Sequence, residues 1–329
     1  MPSRARKVIV YVVTIVALFV LFLFAVNTGT LKVDPIQLFK GLFVEYDETV
    51  ATIYDLRFPR IFIAMLGGAA IATAGALLQA AIRNPLADPG IIGINAGASL
   101  GAVLVTMFLP TLYFASPIFA FIGGMVAFGL VYSLSWKGGL SPLRIILVGV
   151  AVAAMFTGIL EAIESGTSSS SSATSLIDAN ITLKTWDDLQ VLAVYAVPAL
   201  VVSLFLCKRC DLLALEDKTA RSLGLDVNKN RIGISAVAVA LASIGTAVIG
   251  PISFLGLIVP HCARLLVGSQ HKTLIPYCMI LGAFCLLLAD TIGRTIAYPY
   301  EISAAVIMSI VGGPLFIILL RRSRDSYGE

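Results

Sequence analysis

The sequence contains few side chains whose types and spacing could perform covalent chemistry. Cys207 and Cys210 have the C-x-x-C spacing of redox and metal sites, but they straddle the end of an apolar run and lack a βαβ setting, so we interpret them as structural. The chain has no H-E-x-x-H zinc motif and no G-x-x-x-x-G-K-[ST] loop that would bind nucleotide phosphates. We therefore predict that the chain is not an enzyme and holds neither a metal ion nor a cofactor.

Two proline-containing turns concentrate the polar residues instead. Asn84-Pro85 and Asp88-Pro89 follow an apolar run closely, and each proline disfavours the α conformation in the residue before it, so a helix must end here. Irregular backbone at membrane depth survives only against protein or a wet cavity. Two interpretations remain open: a helix-breaking turn, or part of the mouth of a transport pathway that shapes a gate.

A later apolar run contains a proline of its own. Pro260 lies inside this run and is predicted to kink its helix. His261 and Arg264 are three residues apart and share one face of the same helix. Interfacial anchoring and helix capping would explain the pair, and contact with an inner gate or a partner protein is the alternative.

Small residues recur at four-residue spacing in several apolar runs, among them Gly149, Ala153 and Thr157. Residues four apart share a helix face, and small ones let helix backbones approach closely in lipid. This stripe therefore indicates either tight helix packing or the lining of a pathway.

The composition shows which elements must position these residues. Of 329 residues, 58% are hydrophobic and only 13% are charged, and the mean hydropathy is +0.96. Globular domains carry about 25% charged residues, so this chain cannot coat a water-soluble surface. The composition excludes a soluble enzyme, a disordered protein and a nucleic-acid binder, and indicates an integral membrane protein.

About ten membrane-spanning helices are predicted from the apolar runs. The runs lie near 8–26, 61–82, 91–109, 117–135, 145–163, 189–207, 232–249, 252–267, 274–289 and 302–320. With both termini in the cytoplasm, 17 of the 23 Lys and Arg residues fall in cytoplasmic segments. The positive-inside rule supports this orientation, and it makes 165–175 part of an outer loop.

The longest cytoplasmic connection, 208–231, is more than a basic loop. Apolar residues recur in it at helical spacing, and Gly224 is placed to cap a helix C-terminus. We predict short helices here that bury one face, either against the membrane surface or against a partner.

Four segments extend these patterns into longer motifs. They are R-F-P-R at 57–60, R-N-P-L-A-D-P at 83–89, the stretch 212–225, and G-P-I-S-F-L-G-L-I-V-P-H at 250–261. Together they resemble the FecCD-type permeases of ATP-driven importers for iron-siderophores, haem and cobalamin. The resemblance covers the chain from about residue 30 onward.

The resemblance implies an all-α type II ABC importer permease fold, with 1–329 forming one transmembrane domain in the bacterial cytoplasmic membrane. A second permease chain, a copy or a paralogue, would complete the pathway, with spans five and ten nearest the axis. Two separate ATPase subunits would bind ATP and Mg, and an extracytoplasmic solute-binding protein would deliver the cargo. The expected cargo is a ferric siderophore, with haem or cobalamin as the alternative.

Roles for individual residues also follow from the resemblance. The residues implied to couple to the ATPase are Leu212, Leu213, Ala220, Arg221, Leu223, Gly224 and Leu225. The gate or pathway candidates are Asn84, Pro85, Asp88, Pro89, Gly149, Ala153, Thr157, Pro260, His261 and Arg264. The residues implied to dock the solute-binding protein are Arg57, Arg60 and Arg294.

The docking arginines are expected at the outer surface, because Arg57 and Arg60 flank the start of the second span and Arg294 follows the ninth. Interfacial snorkelling would also place arginines there. For Arg294 a local helix pair with Asp290, four residues earlier, is a further alternative.

An ion-coupled secondary transporter is the rival from another class. It would need titratable groups near the bilayer midplane. Glu161, Asp290 and Glu301 are the carboxylates near spans, and all three are predicted towards the outer ends. The sequence therefore favours an ATP-driven importer.

Overall fold

In a computed structural model of the chain, residues 3–29, 31–135, 142–166, 181–298 and 300–324 are described. All regular elements among them are helices. They are α1 (Arg4–Val26), α2 (Pro35–Phe43), α3 (Glu48–Leu56), α4 (Phe58–Ile82), α5 (Ile94–Phe108), a 3-10 helix (Pro110–Ala115), α6 (Ser116–Ser135), α7 (Pro142–Gly166), α8 (Trp186–Phe205), α9 (Cys207–Leu213), α10 (Asp217–Ser222), α11 (Val227–Ile249), α12 (Leu255–Val267), α13 (His271–Ile296) and α14 (Ala304–Arg324).

Each of the ten predicted apolar runs coincides with one long helix of the fold. Seven stretches of the described chain are long and apolar enough to cross a membrane, and the shorter apolar helices are Ile94–Phe108, Leu255–Val267 and Ala304–Ile318. The predicted short helices of the 208–231 connection are α9 and α10. Helices α2 and α3 lie where none is predicted, and most of the predicted 165–175 loop lies outside the described residues.

Helix α4 forms the centre of the bundle, in contact with α8, α11, α12 and α13. Glycines make this possible: a Cβ on Gly75 would lie 1.8 Å from the carbonyl oxygen of Gly256, and one on Gly68 would lie 2.3 Å from that of Gly282. Real Cβ atoms do not approach oxygen this closely, so α4 touches α12 and α13 backbone to backbone. Gly68 and Gly75 therefore serve helix packing.

The two ends of the bundle can be named by the arginines at the two ends of α4. Arg57 is the residue before α4 and Arg60 lies in its first turn, whereas Arg83 follows its last residue. A 25-residue helix is about 37 Å long. We call the two ends of the bundle the Arg60 end and the Arg83 end.

Candidate functional site

At the Arg60 end, four charged side chains form what we call the Arg60 cluster: Arg60, Asp290, Arg294 and Glu301. Arg60 Nη2 donates to Asp290 Oδ1 at 2.8 Å and Arg60 Nη1 donates to Glu301 Oε2 at 2.8 Å. Arg294 Nε lies 3.2 Å from Asp290 Oδ2, an ion pair without hydrogen-bond geometry. The cluster joins α4, α13 and the chain that leads into α14.

These contacts turn two of the predicted docking arginines inward. The side chains of Arg60 and Arg294 are only 7% and 6% exposed, so the expectation that they lie on the outer surface is wrong. Both pair with Asp290, which is 230 residues from Arg60 and four residues from Arg294, and the Arg294–Asp290 alternative is the geometry observed. Arg57 is half-buried, and its Nη1 donates to the carbonyl of Leu31 at 2.8 Å. The docking role of all three stays a prediction.

Between the two ends, the α4–α5 connection forms a buried turn. Arg83, in the left-handed conformation (φ 54°), ends α4. Asn84 Oδ1 accepts from the Leu86 amide at 2.9 Å, and Asp88 Oδ1 accepts from the Gly90 amide at 2.8 Å. Side-chain acceptors thus satisfy amides that no helix bonds, and the predicted end of the helix before Asn84 is confirmed.

A cavity of about 390 Å³ opens beside this turn. Its walls are the 88–91 turn, the start of α5, the middle of α7 and the break 251–254 between α11 and α12. The break exists because Gly250 (φ 77°) ends α11 and Phe254 (φ 65°) precedes α12 in conformations that no helix continues. We call this space the Asp88 cavity.

The structure brings four of the gate candidates to this cavity. Asp88, Ala153 and Thr157 line it, and a Cβ on Gly149 would lie 2.5 Å from the carbonyl oxygen of Ile91 in the adjoining turn. Burial raises the pKa of Asp88 to about 6, while amide hydrogen bonds oppose that rise.

The other six gate candidates do not line this cavity, although Pro89 belongs to the turn beside it. Asn84, Pro85, Pro89, Pro260, His261 and Arg264 are not among the lining residues of the Asp88 cavity. Arg264 Nη2 donates to Gln79 Oε1 at 2.6 Å, and Gln79 Nε2 in turn donates to the Gly256 carbonyl at 3.3 Å. Arg264 thus fastens α12 to α4, which is a packing role, and α12 continues through Pro260.

At the Arg83 end, the predicted coupling residues divide between two faces. Leu213 and Ala220 are buried against the bundle, whereas Arg221, Leu223 and Gly224 are exposed. The remaining two, Leu212 and Leu225, are half-buried. The short helices therefore bury one face on this chain and leave the other uncovered.

Gly224 ends α10 as the sequence predicts. Its φ is +84°, its amide donates to the Arg221 carbonyl at 2.9 Å, and the Leu225 amide donates to the Ala220 carbonyl at 3.1 Å. These two bonds make a Schellman motif, which favours glycine at this position. The motif fixes the direction in which the chain leaves α10.

Two acidic residues hold these short helices to the bundle. Asp217 pairs with Arg83, and Arg231 Nη2 approaches Asp217 Oδ1 at 3.4 Å; we call these three residues the Arg83 cluster. Asp211 Oδ1 accepts from the His271 backbone amide at 2.9 Å. Neither contact is predictable from the sequence, because residues 60 and 134 positions apart leave no local pattern.

The sequence of this chain is similar to known proteins over nearly its whole length. The sequence profile of the FecCD transport family matches residues 17–322. The probable heme-iron transport system permease protein IsdF of Staphylococcus aureus strain Newman is 39% identical over 324 residues, which cover 98% of this chain and 99% of the relative. The IsdF protein of strain MSSA476 shows the same identity and coverage.

Two solved structures share the fold. An inward-facing conformation of a transporter assigned to the metal-chelate ABC type is 28% identical, with a TM-score of 0.79 over 94% of this chain and 97% of that chain. PsaBC from Streptococcus pneumoniae in complex with Fab is 16% identical, with a TM-score of 0.60 over 86% of this chain and 94% of that chain. The second likeness concerns the fold alone.

Proposed function

The chain belongs to the FecCD transport family and is a permease of the ABC importer type, and from this premise we propose that it carries an iron chelate across the bacterial cytoplasmic membrane. The observation that carries the proposal is the full-length relationship to a permease named for heme-iron transport. On that ground we place haem first, ahead of the ferric siderophore expected from the sequence motifs.

A second permease chain would complete the pathway. Helices α7 and α14 expose large apolar side chains, among them Leu147, Val150, Val306 and Ile310, and α7 also forms one wall of the Asp88 cavity. A partner packed on α7 and α14 would cover part of this apolar surface and enclose the cavity between two chains. The cavity would then form part of the pathway, with Ala153 and Thr157 facing it.

The ATPase subunit would act on the chain at the Arg83 end, which we place in the cytoplasm. The exposed face of α10 and its cap, with Leu223 60% exposed, would contact an ATPase subunit that binds ATP and Mg. Because Asp211 and Asp217 tie α9 and α10 to α13, α4 and α11, a shift of the short helices would move those long helices. Alternating access follows if the ATP-bound partner favours one of two bundle arrangements.

The solute-binding protein would dock at the Arg60 end, which is then extracytoplasmic. Arg57 is the most accessible of the three predicted docking arginines. Replacing Arg60 would also remove the partner of Asp290, so Arg57→Glu is the cleaner test of docking. We expect it to weaken stimulation of the ATPase by the binding protein while basal ATP hydrolysis continues.

Reconstitution in proteoliposomes tests the proposed function. The permease, its ATPase and its binding protein are reconstituted together, and uptake of iron-labelled haem and of a ferric siderophore is compared. We expect haem uptake that requires ATP and Mg and persists when an ionophore collapses all ion gradients. Liposomes without the ATPase are the control, and uptake that follows the ion gradient instead of ATP would contradict the proposal.

A further inference from the structure

Helix α2 exposes an apolar face at the Arg60 end of the bundle. Ile36, Phe39 and Phe43 are 71%, 61% and 74% exposed, and in a helix these three positions lie within about 60° of one another. The rings of Phe39 and Phe43 pack together, with centroids 5.2 Å apart. Two phenyl rings and an isoleucine on one face of a nine-residue helix form a surface that water solvates poorly.

The opposite face of α2 is packed against the rest of the chain. Leu38 is buried and belongs to the hydrophobic cluster that includes Val26 at the end of α1 and Ile53 of α3. A Cβ on Gly41 would lie 2.6 Å from Val50 Cγ2, so α2 lies tightly on α3. This packing directs the exposed apolar face away from the bundle.

A third side of α2 is polar. Gln37 and Lys40 follow the apolar face around the helix, and Gln37 Nε2 donates to Asp47 Oδ2 at 2.8 Å. Together with Asp34 and Glu45 these residues line an open groove. Helix α2 thus has charged groups along one flank and phenyl rings along the other, a division typical of a helix that lies at a membrane surface.

The position of α2 along the bundle matches a membrane boundary. Phe43 lines a cavity of about 530 Å³ together with Phe58 and Phe62, from the first two turns of α4. Because α4 is longer than a hydrocarbon core of about 30 Å, these turns lie near the edge of that core. Tyr54 and Trp186 line the same cavity, with ring centroids 4.7 Å apart, and these residue types are enriched at membrane–water interfaces.

The lipid-facing surface of α1 ends beside this segment. Phe19 and Phe24 of α1 are exposed, and only 11% of the most apolar stretch of α1 is buried. Arg57 Nη1 donates to the carbonyls of Val26 and Leu31, which ties the end of α1 and the chain leading to α2 to the start of α4. The acyl chains around α1 therefore extend to the level of α2.

We propose that α2 lies in the lipid interface at the Arg60 end, with Phe39 and Phe43 among the acyl chains and Gln37 on the aqueous side. Lys40 lies at the border, where its long side chain reaches lipid phosphate groups. A binding protein that docks and leaves would return the two phenyl rings to water in each cycle, whereas lipid covers them permanently. The proposal holds whichever side of the membrane the Arg60 end occupies.

Nitroxide labels on the full-length chain test this placement without any transport measurement. Phe39→Cys, Phe43→Cys and Gln37→Cys are labelled one at a time in nanodiscs of phosphatidylethanolamine and phosphatidylglycerol. Power saturation in electron paramagnetic resonance then measures collisions with oxygen, which concentrates in lipid, and with a nickel chelate, which stays in water. The identically treated parent gives the background from the five native cysteines.

We expect the labels at 39 and 43 to collide mainly with oxygen and to report a depth of roughly 5–10 Å below the headgroups. The label at 37 is the matched control, because Gln37 is an exposed residue of the same helix, and we expect it to collide mainly with the nickel chelate. Since all three side chains are exposed, labelling them leaves the packed face of α2 intact.

Two results would overturn the proposal. Equal access of the nickel chelate to positions 37 and 39 would place the apolar face in water. Low access of both reagents to positions 39 and 43 would show that protein covers them, as in contact with a second copy of the chain. The measurement is repeated with the binding protein present, and loss of nickel collisions at 39 only after its addition would assign this face to docking instead of lipid.

Discussion

The Arg60 cluster and the Arg83 cluster both pair an arginine at one end of α4 with a distant acid, but they differ in burial. The side chains of Arg60 and Asp290 are 7% and 1% exposed, whereas those of Arg83 and Asp217 are 32% and 42% exposed. Breaking a buried pair from one side costs about 3–5 kcal/mol, and an exposed pair contributes about 0–1 kcal/mol. The Arg60–Asp290 pair is therefore a fixed contact, whereas the Arg83–Asp217 pair can break and re-form at little cost in free energy.

The difference fits the kind of element that each cluster joins. The Arg60 cluster connects two helices of 25 and 26 residues and the entry to a third. The Arg83 cluster connects long helices to α10, which has six residues and one uncovered face. The proposed coupling role of α10 requires contacts that can form and break without unfolding the bundle.

The largest expected effect is the loss of the Asp290 carboxylate. Asp290→Asn leaves two buried guanidinium groups without their shared counter-charge, and we expect the free energy of unfolding to fall by about 3–5 kcal/mol. Denaturant titration of the purified protein in detergent measures this. Asp55→Asn, at an exposed aspartate of α3, is the control, and equal stability of the two variants would show that the Arg60 cluster is not a fixed point.

A second substitution tests the uncovered face at the Arg83 end. Leu223→Asp places a charge where we propose contact with the ATPase, and we expect association to weaken at least tenfold, about 1.4 kcal/mol. Stability of the isolated chain should not change, because Leu223 is 60% exposed. Co-purification with the ATPase measures the effect, with Leu183→Asp, an exposed leucine before α8 at the other end of the bundle, as the matched control. Unchanged association would remove this face from the coupling mechanism.

Glu301 offers a smaller effect with a defined pH dependence. Burial by itself would raise the pKa of Glu301, but hydrogen bonds from Thr182 and Arg60 outweigh it and hold the pKa below the ordinary value of 4.5. The folded-state pKa is lowered, so the contribution to stability is complete above pH 4.5 and is lost as pH falls through the folded-state pKa.

We expect Glu301→Gln to cost about 1 kcal/mol at pH 7. The free energy of unfolding is measured between pH 7 and the lowest pH that the protein tolerates. As the pH falls, it should decrease less steeply in the variant than in the parent. Parallel pH profiles for the two proteins would contradict this assignment.

The smallest effect is expected at Asp217. Asp217→Asn removes the acid of the Arg83 cluster, and we expect a loss of stability below about 1 kcal/mol that shrinks further at high salt, because these side chains are partly exposed. The number of chelate molecules transported per ATP hydrolysed should fall by a larger fraction than the free energy of unfolding does. A stability loss as large as that of Asp290→Asn would erase the difference between the two clusters.

Local sequence patterns predicted the helices well and the contacts between them poorly. The Gly224 cap and the end of α4 before Asn84 were predictable, since each depends on neighbouring residues. The Asp290–Arg294 pair was visible as an i,i+4 alternative. The partners of Arg60 and Arg83 were not, because no local rule links residues 230 and 134 positions apart.

The α2 and α3 helices and two polar residues of the Asp88 cavity, Asn95 and Ser99, were missed for a different reason. Helices of nine residues give too short a periodic signal to separate from a loop. As single polar residues in an apolar run these two carry no sequence signal, since only the fold shows that they line the same cavity as Asp88. Burial of a polar atom is a property of the assembled bundle.

The distance along the chain between Arg60 and Asp290 has a consequence for biosynthesis. Arg60 leaves the ribosome 230 residues before Asp290, and at roughly 5–20 residues per second this delay is about 10–50 s. Helix α4 is the most buried long helix of the finished bundle. During that interval the Arg60 guanidinium on α4 has no counter-charge, because Asp290 has not yet been synthesised. Helices α13 and α14 are therefore needed before α4 is fully paired and packed. A nascent chain halted before α13 leaves the centre of the bundle incomplete.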